Sequence, residues 1–174
     1  METVSFFRKL GLLLGLAAVQ VLFLNRISLF GYVTPLLYIW MILRFDSSMS
    51  RTGILLWSFF MGLAVDIFSA TPGLNAASAT LLGMIQPGLV KLFVTHDRHD
   101  VLLPGVQSMG VRQFAGYLIL ATLIHHSVYF LLRSIPLGDW SVLVAKVVFS
   151  ALLTFVFMLV FGISSSKNAA ARRS

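Results

Sequence analysis

The sequence contains no cysteine, which rules out a disulfide framework, a thiolate nucleophile and iron–sulfur ligation, and leaves the redox compartment open. Charge is scarce as well: 11% of the 174 residues are Asp, Glu, Lys or Arg, against roughly 25% in an ordinary soluble domain. Acidic residues number only 6, beside 13 Lys and Arg. With so few polar side chains a soluble fold could not cover its exterior, whereas a protein dissolved in lipid turns Leu, Phe, Val and Met outward. What is abundant agrees, since 58% of residues are hydrophobic and mean hydropathy is +0.92. The chain reads as an integral membrane protein.

Catalytic signatures are missing too. There is no Walker loop, dinucleotide fingerprint, H-E-x-x-H sequence or Gly-x-Ser-x-Gly elbow, so neither an enzyme nor a bound cofactor is expected. The basic residues sit at the ends of apolar runs and form no stripe with interleaved aromatics, which argues against nucleic acid as a partner.

Six apolar segments can be marked, at 10–27, 29–43, 52–70, 74–94, 113–132 and 141–163. The last four approach the roughly 20 residues that cross a 30 Å hydrocarbon layer. The second is short, carries Pro35 near its start, and is expected to form a tilted or shielded crossing helix, with a re-entrant pair as the competing arrangement. The first resembles a signal peptide, but its apolar run continues past Gly15, Ala17 and Ala18 to Leu24, so it is read as a retained helix. The expected fold is all-α: a polytopic bundle of six transmembrane helices forming a single domain over 1–163. A disordered basic tail at 164–174 would lie near anionic headgroups.

With a cytoplasmic N-terminus, the inner segments hold Arg8, Lys9, Arg44, Arg51, Lys91, Arg98, Arg112, Lys167, Arg172 and Arg173. The outer connections hold only Arg26 and Arg133, a strong positive-inside bias that places both ends in the cytoplasm. The connection at 95–112, with His96, Asp97, Arg98, His99 and Asp100, is expected to carry a short surface helix.

Membrane burial makes the embedded polar residues informative. Asp66, in the third span, needs donors or water, and Gly62 one turn earlier lets another backbone approach it. Under the six-span topology His125, His126 and Lys146 lie at a similar depth, where they can compensate the Asp66 charge. A structural lock between helices is the preferred use of this cluster over a proton relay or ligand site. Adjacent histidines point in different directions on a helix and by themselves make no metal site. Gly11 with Gly15, and Ala79 with Gly83 and Pro87, form small-residue faces expected to pack mainly inside the bundle. Thr71-Pro72-Gly73-Leu74-Asn75 predicts a tight turn in which Asn75 caps the following helix. Gln86-Pro87-Gly88 is a candidate kink.

The ordered motifs Asn25-Arg26-Ile27-Ser28-Leu29-Phe30-Gly31-Tyr32-Val33-Thr34-Pro35-Leu36-Leu37-Tyr38, Gly62-Leu63-Ala64-Val65-Asp66-Ile67-Phe68 and Pro72-Gly73 carry a family resemblance. The chain resembles the MreD family of bacterial rod shape-determining membrane proteins over most of 10–163. Pro35 matches the family proline, Gly62 and Asp66 its glycine and acidic positions, and Gly73 the glycine of the turn beyond. His125 and His126 with Tyr129-Phe130, and the basic ending, look like the Bacteroidetes version. The resemblance implies a multi-pass scaffold in the inner membrane that supports lateral peptidoglycan synthesis. The implied partners are MreC, the MreB filament system, the RodA glycosyltransferase and a class B penicillin-binding transpeptidase. The general organisation is also similar to the substrate-binding subunits of energy-coupling-factor transporters, so a small-molecule binding subunit is the alternative.

Overall fold

A computed structural model describes residues 2–26, 33–46, 48–94, 103–134 and 139–171. Among them the chain is all-helical, with no β-strand. Helix α1 covers Glu2–Leu22 and is followed by a 3-10 turn, Leu24–Arg26. Residues 33–36 are non-helical, and a 3-10 turn at Leu37–Ile39 runs into the single turn of α2, Trp40–Leu43. Then come α3 (Arg51–Ser69), α4 (Leu74–Phe93), the one-turn α5 (Val106–Met109), α6 (Val111–Ser134) and α7 (Trp140–Ala171). Among the described residues four helices are long and apolar enough to cross a membrane: α3, α4, α6 and the Trp140–Ser166 stretch of α7. The chain is thus an all-helical membrane protein. Its outer surface agrees, with Phe68 70%, Leu92 72% and Trp140 70% exposed, a surface that water would disfavour and lipid would not.

Local chemistry explains the ends. The Ser50 hydroxyl accepts from the Gly53 amide at 3.1 Å and caps α3. Ala70 closes the same helix in the left-handed region at φ 52°, and its amide returns to the Asp66 carbonyl. Gly73, at φ +79°, opens α4, a conformation a side chain would strain. The Asp139 carboxylate accepts from the Ser141 hydroxyl and from the Ser141 and Val142 amides at the start of α7. The Ser141 hydroxyl in particular holds that carboxyl below its usual range.

Helices α3 and α4 form a tight antiparallel hairpin, α4 packs on α6, and α6 packs on α7. Helix α1 runs alongside α3 in the same direction, since Phe6 meets Trp57 and Asn25 meets Ser69. Residues 33–43 thread the middle of this ring. Tyr38, Ile39, Ile42 and Leu43 are all 0% exposed. The segment meets α6 in reverse order, Tyr38 at His125 and Leu43 at Tyr117. It meets α7 in the same order, Thr34 at Ser150, Leu36 at Thr154 and Trp40 at Phe161. So α1, α3 and α6 run one way through the bundle, and segment 33–43, α4 and α7 run the other.

Several expectations change. Where the apolar run at 29–43 reads as one short helix, the described part is non-helical over 33–36 and helical only over 37–43. Side chains on other helices accept and donate to its backbone there, so it has no need of an internal helical ladder. Helix α1 starts at Glu2, well before the apolar run. The tail expected to be disordered from Ser164 continues α7 to Ala171, helped by Ala and Lys, which are good helix formers. Helix α4 runs through Pro87 without a break. The connection after α4 contains the helix α5, while residues 95–102, with His96 to Asp100, lie outside the described residues, as do 27–32 and 172–174.

Candidate functional site

Asp66 stands in the last turn of α3 and is 4% exposed. Its Oδ1 accepts from the Thr71 hydroxyl at 2.9 Å, the Asn75 amide at 3.0 Å and the Asn75 side-chain Nδ2 at 2.9 Å. Its Oδ2 accepts from the Ala76 amide at 2.8 Å. The two amides are the second and third of α4, so Asp66 caps a neighbouring helix across the turn, where the helix dipole favours negative charge. Four donors replace the water that a buried carboxylate would otherwise require. Asn75, expected as the cap of α4, instead lies inside it and donates its side-chain amide to the true cap. The tight Thr71-Pro72-Gly73 turn carries α4 back onto the carboxylate, which is why Asp66 does not reach for a distant cation.

Gly62 makes that closeness possible. A Cβ there would meet the Asn75 carbonyl and stand 2.6 Å from the Ala76 Cα and amide nitrogen. Gly62→Ala should therefore cost about 1–3 kcal/mol, because backbone cannot swing aside as a side-chain tip can. Gly11→Ala and Gly15→Ala, where a Cβ meets nothing within 4 Å, should stay within about 0.5 kcal/mol. Thermal unfolding of the three variants in one detergent would check the contrast, and equal losses would refute it.

A second polar system holds the central segment. Gln20 of α1 donates Nε2 to the Pro35 carbonyl at 2.9 Å and accepts the Leu37 amide on Oε1 at 2.9 Å. The Ser150 hydroxyl of α7 accepts the Thr34 amide at 3.0 Å, and that of Thr154 accepts the Leu36 amide at 3.1 Å. At the other end Tyr117 of α6 donates to the Leu43 carbonyl at 2.9 Å, and Gln86 of α4 donates to that of Phe45 at 3.3 Å. Irregular backbone persists at membrane depth only where protein satisfies it. Here four helices supply the donors and acceptors.

The two histidines serve the same system on separate faces. His126 Nδ1 donates to the Thr122 carbonyl at 2.8 Å, and its Nε2 lies 3.1 Å from the Thr154 hydroxyl, whose one proton also faces the Ser150 carbonyl at 2.8 Å. His125 Nε2 meets the Tyr38 hydroxyl at 3.0 Å. The Ser78 hydroxyl of α4 donates to the Leu74 carbonyl at 2.7 Å. Among the described residues two buried side-chain atoms are left without a partner, the His125 Nδ1 and the Asn75 Oδ1, and an orphaned acceptor is cheaper than an orphaned N–H.

The sequence-derived site residues thus fall into groups. Gly62, Asp66 and Gly73 meet at the hairpin turn. Pro35, His125 and His126 belong to the central system, where Tyr38 meets His125. Lys146 lies half-buried on α7, one turn before Ser150. Ala79 and Gly83 are buried, Gly83 directly against Ser58 of α3. Gly11 and Gly15 face outward, which corrects the expectation of an internal seam: the face of α1 turned to the bundle carries Leu13, Ala17 and Gln20 instead. Gln20, Tyr38, Tyr117, Ser150 and Thr154 were missed. Their signal is a polar side chain recurring at one level of each apolar run. Among the described residues no three His, Asp or Glu side chains gather to hold a metal ion.

Chemically, the arrangement ties elements of the bundle together. No protein-family model, curated protein or solved structure matches the chain.

Proposed function

We propose that this chain is a six-crossing scaffold of the bacterial cell-elongation machinery, the role that resemblance to the MreD family implies. In this reading it lies in the inner membrane with both termini in the cytoplasm. Segment 33–43 then makes the second crossing. Four non-helical residues and seven helical ones reach at most about 25 Å of the 30 Å hydrocarbon layer, and the alternating directions of the elements accord with six passes. Arg44, Arg51, Lys91 and Arg112 stand at element ends that this topology puts on the cytoplasmic side.

The observation that carries the reading is the division of labour between interior and exterior. Embedded polar groups are consumed in fastening the bundle, and the lipid-facing surface keeps an apolar groove of about 460 Å³ between α1 and α3. Phe6, Leu10, Leu13, Trp57, Phe60 and Ile67 line it, while Gly11 and Gly15 lie bare on the same helix. Such a furrow suits the side-chain ridge of a partner's transmembrane helix, and the bare glycines, on the far side of α1, offer a separate face for close approach. MreC, RodA and the transpeptidase are the membrane partners this role calls for, and the MreB system would be met at the cytoplasmic face.

Crosslinking in native membranes followed by purification in mild detergent tests the role. Co-isolation of elongation proteins is the expected outcome. Recovery with ATPase subunits instead would point to a transporter's ligand-binding subunit and overturn the scaffold.

A further inference from the structure

Arg44 ends α2 at the same end of the bundle as Arg51, Lys91 and Arg112. It is half-buried, donates Nη1 to the Pro104 carbonyl at 2.7 Å, and lies 5.6 Å from the Trp40 ring centroid. Trp40 is itself held edge-on between Phe114 and Phe161, so the guanidinium is fixed in place. Gly105 leaves the room it occupies, since a Cβ there would meet Nη1. Among the described residues no carboxylate pairs with Arg44.

A fixed, partly desolvated cation that no described carboxylate pairs is unfavourable unless something else supplies the charge. The guanidinium has five N–H donors, and one is used on Pro104. Arg44 lines a pocket of about 310 Å³ whose other walls include Gln107, Ser108, Gly162, Ser165 and Ser166. Gln107 is tied to the Ser166 carbonyl at 3.0 Å, which braces the rim. The pocket opens where the apolar stretch of α7 gives way to polar residues, the level at which membrane phosphates lie.

We propose that this pocket binds a phosphate group, the Arg44 guanidinium taking its oxygens as a fork and the serine hydroxyls of α7 completing the contact. The phosphate is that of a lipid headgroup or a soluble ester. Arginine held by stacking is suited to this use in a way lysine is not.

The test uses the full chain in phosphatidylcholine nanodiscs titrated with phosphatidic acid, retention being read by native mass spectrometry. Arg44→Gln should lower retention about tenfold, the effect of one charge-assisted fork. Arg44→Lys should lie between the two. Arg112→Gln removes one exposed charge and should stay within about twofold, as expected for a screened surface charge. Equal losses for Arg44→Gln and Arg112→Gln would mean general attraction to an anionic surface and would overturn the site, as would no loss for Arg44→Gln. If Arg44→Gln fails to fold, the Ser165→Ala/Ser166→Ala pair carries the test, and unchanged retention there counts against the pocket. Displacement by millimolar inorganic phosphate would show that the phosphate group alone is recognised; Arg44-dependent retention that inorganic phosphate does not displace would assign the site to the lipid headgroup.

Discussion

Asp66→Ala should unfold the α3–α4 hairpin more readily by on the order of 3 kcal/mol. The substitution strands the Asn75 and Ala76 amides, two buried N–H groups with no intrahelical acceptor at the start of α4. Asp66→Asn is the sharper comparison because it nearly retains shape. Its oxygen can take over the three bonds of Oδ1, but its NH2 group would then face the Ala76 amide, donor against donor. One orphaned amide and a lost charge–dipole term should cost about 1–3 kcal/mol. Chemical unfolding in detergent should rank wild type, Asn and Ala in that order. An Asp66→Asn protein of wild-type stability that bound its partners and restored rod shape in a deletion strain would show that the charge is not needed.

Gln20→Leu should be nearly as damaging, and its sign is diagnostic. Hydropathy alone predicts a benefit, since Leu suits a membrane helix better than Gln. The structure predicts a loss, because Leu of similar size leaves the Pro35 carbonyl and the Leu37 amide unpaired at the centre of the bundle. Each stranded group costs about 1–3 kcal/mol, giving roughly 2–6 kcal/mol together. Residues 33–36 have no helical ladder of their own to fall back on. The loss should therefore appear first as proteolytic access to 33–43 and only then as global unfolding. A Gln20→Leu protein as stable as wild type, or more so, would contradict the clasp.

Much of this architecture can be read from hydropathy. The segments expected at 52–70, 74–94, 113–132 and 141–163 lie within a few residues of α3, α4, α6 and the apolar stretch of α7. Those runs are long and uniform, and a helix in lipid must satisfy its own backbone. The Thr71-Pro72-Gly73 turn and the close approach at Gly62 are equally visible, because glycine and proline act locally. What hydropathy hides is partnership. The depth of Asp66, His125, His126 and Lys146 along their helices suggested one cluster. Rotation about each helix axis decides which of them face one another, and sequence spacing sets rotation only within one element. Asp66 is claimed by donors within ten residues, and the adjacent histidines turn to Tyr38 and Thr154. The break before α2 is hidden for a related reason. Residues 33–36 depart from a helix because Gln20, Ser150 and Thr154 offer their backbone other partners, and those side chains come from distant parts of the chain.

The central claim is that embedded polar residues fasten a scaffold and perform no chemistry of their own. It is tested most directly by measuring rod-shape rescue against the amount of folded protein in the membrane for graded variants of Gln20, Gly62, Asp66, His126 and Thr154. Rescue should fall on one curve with folded amount, whichever residue is changed. A variant that is folded, abundant and bound to its partners, yet fails to restore rod shape, would contradict it.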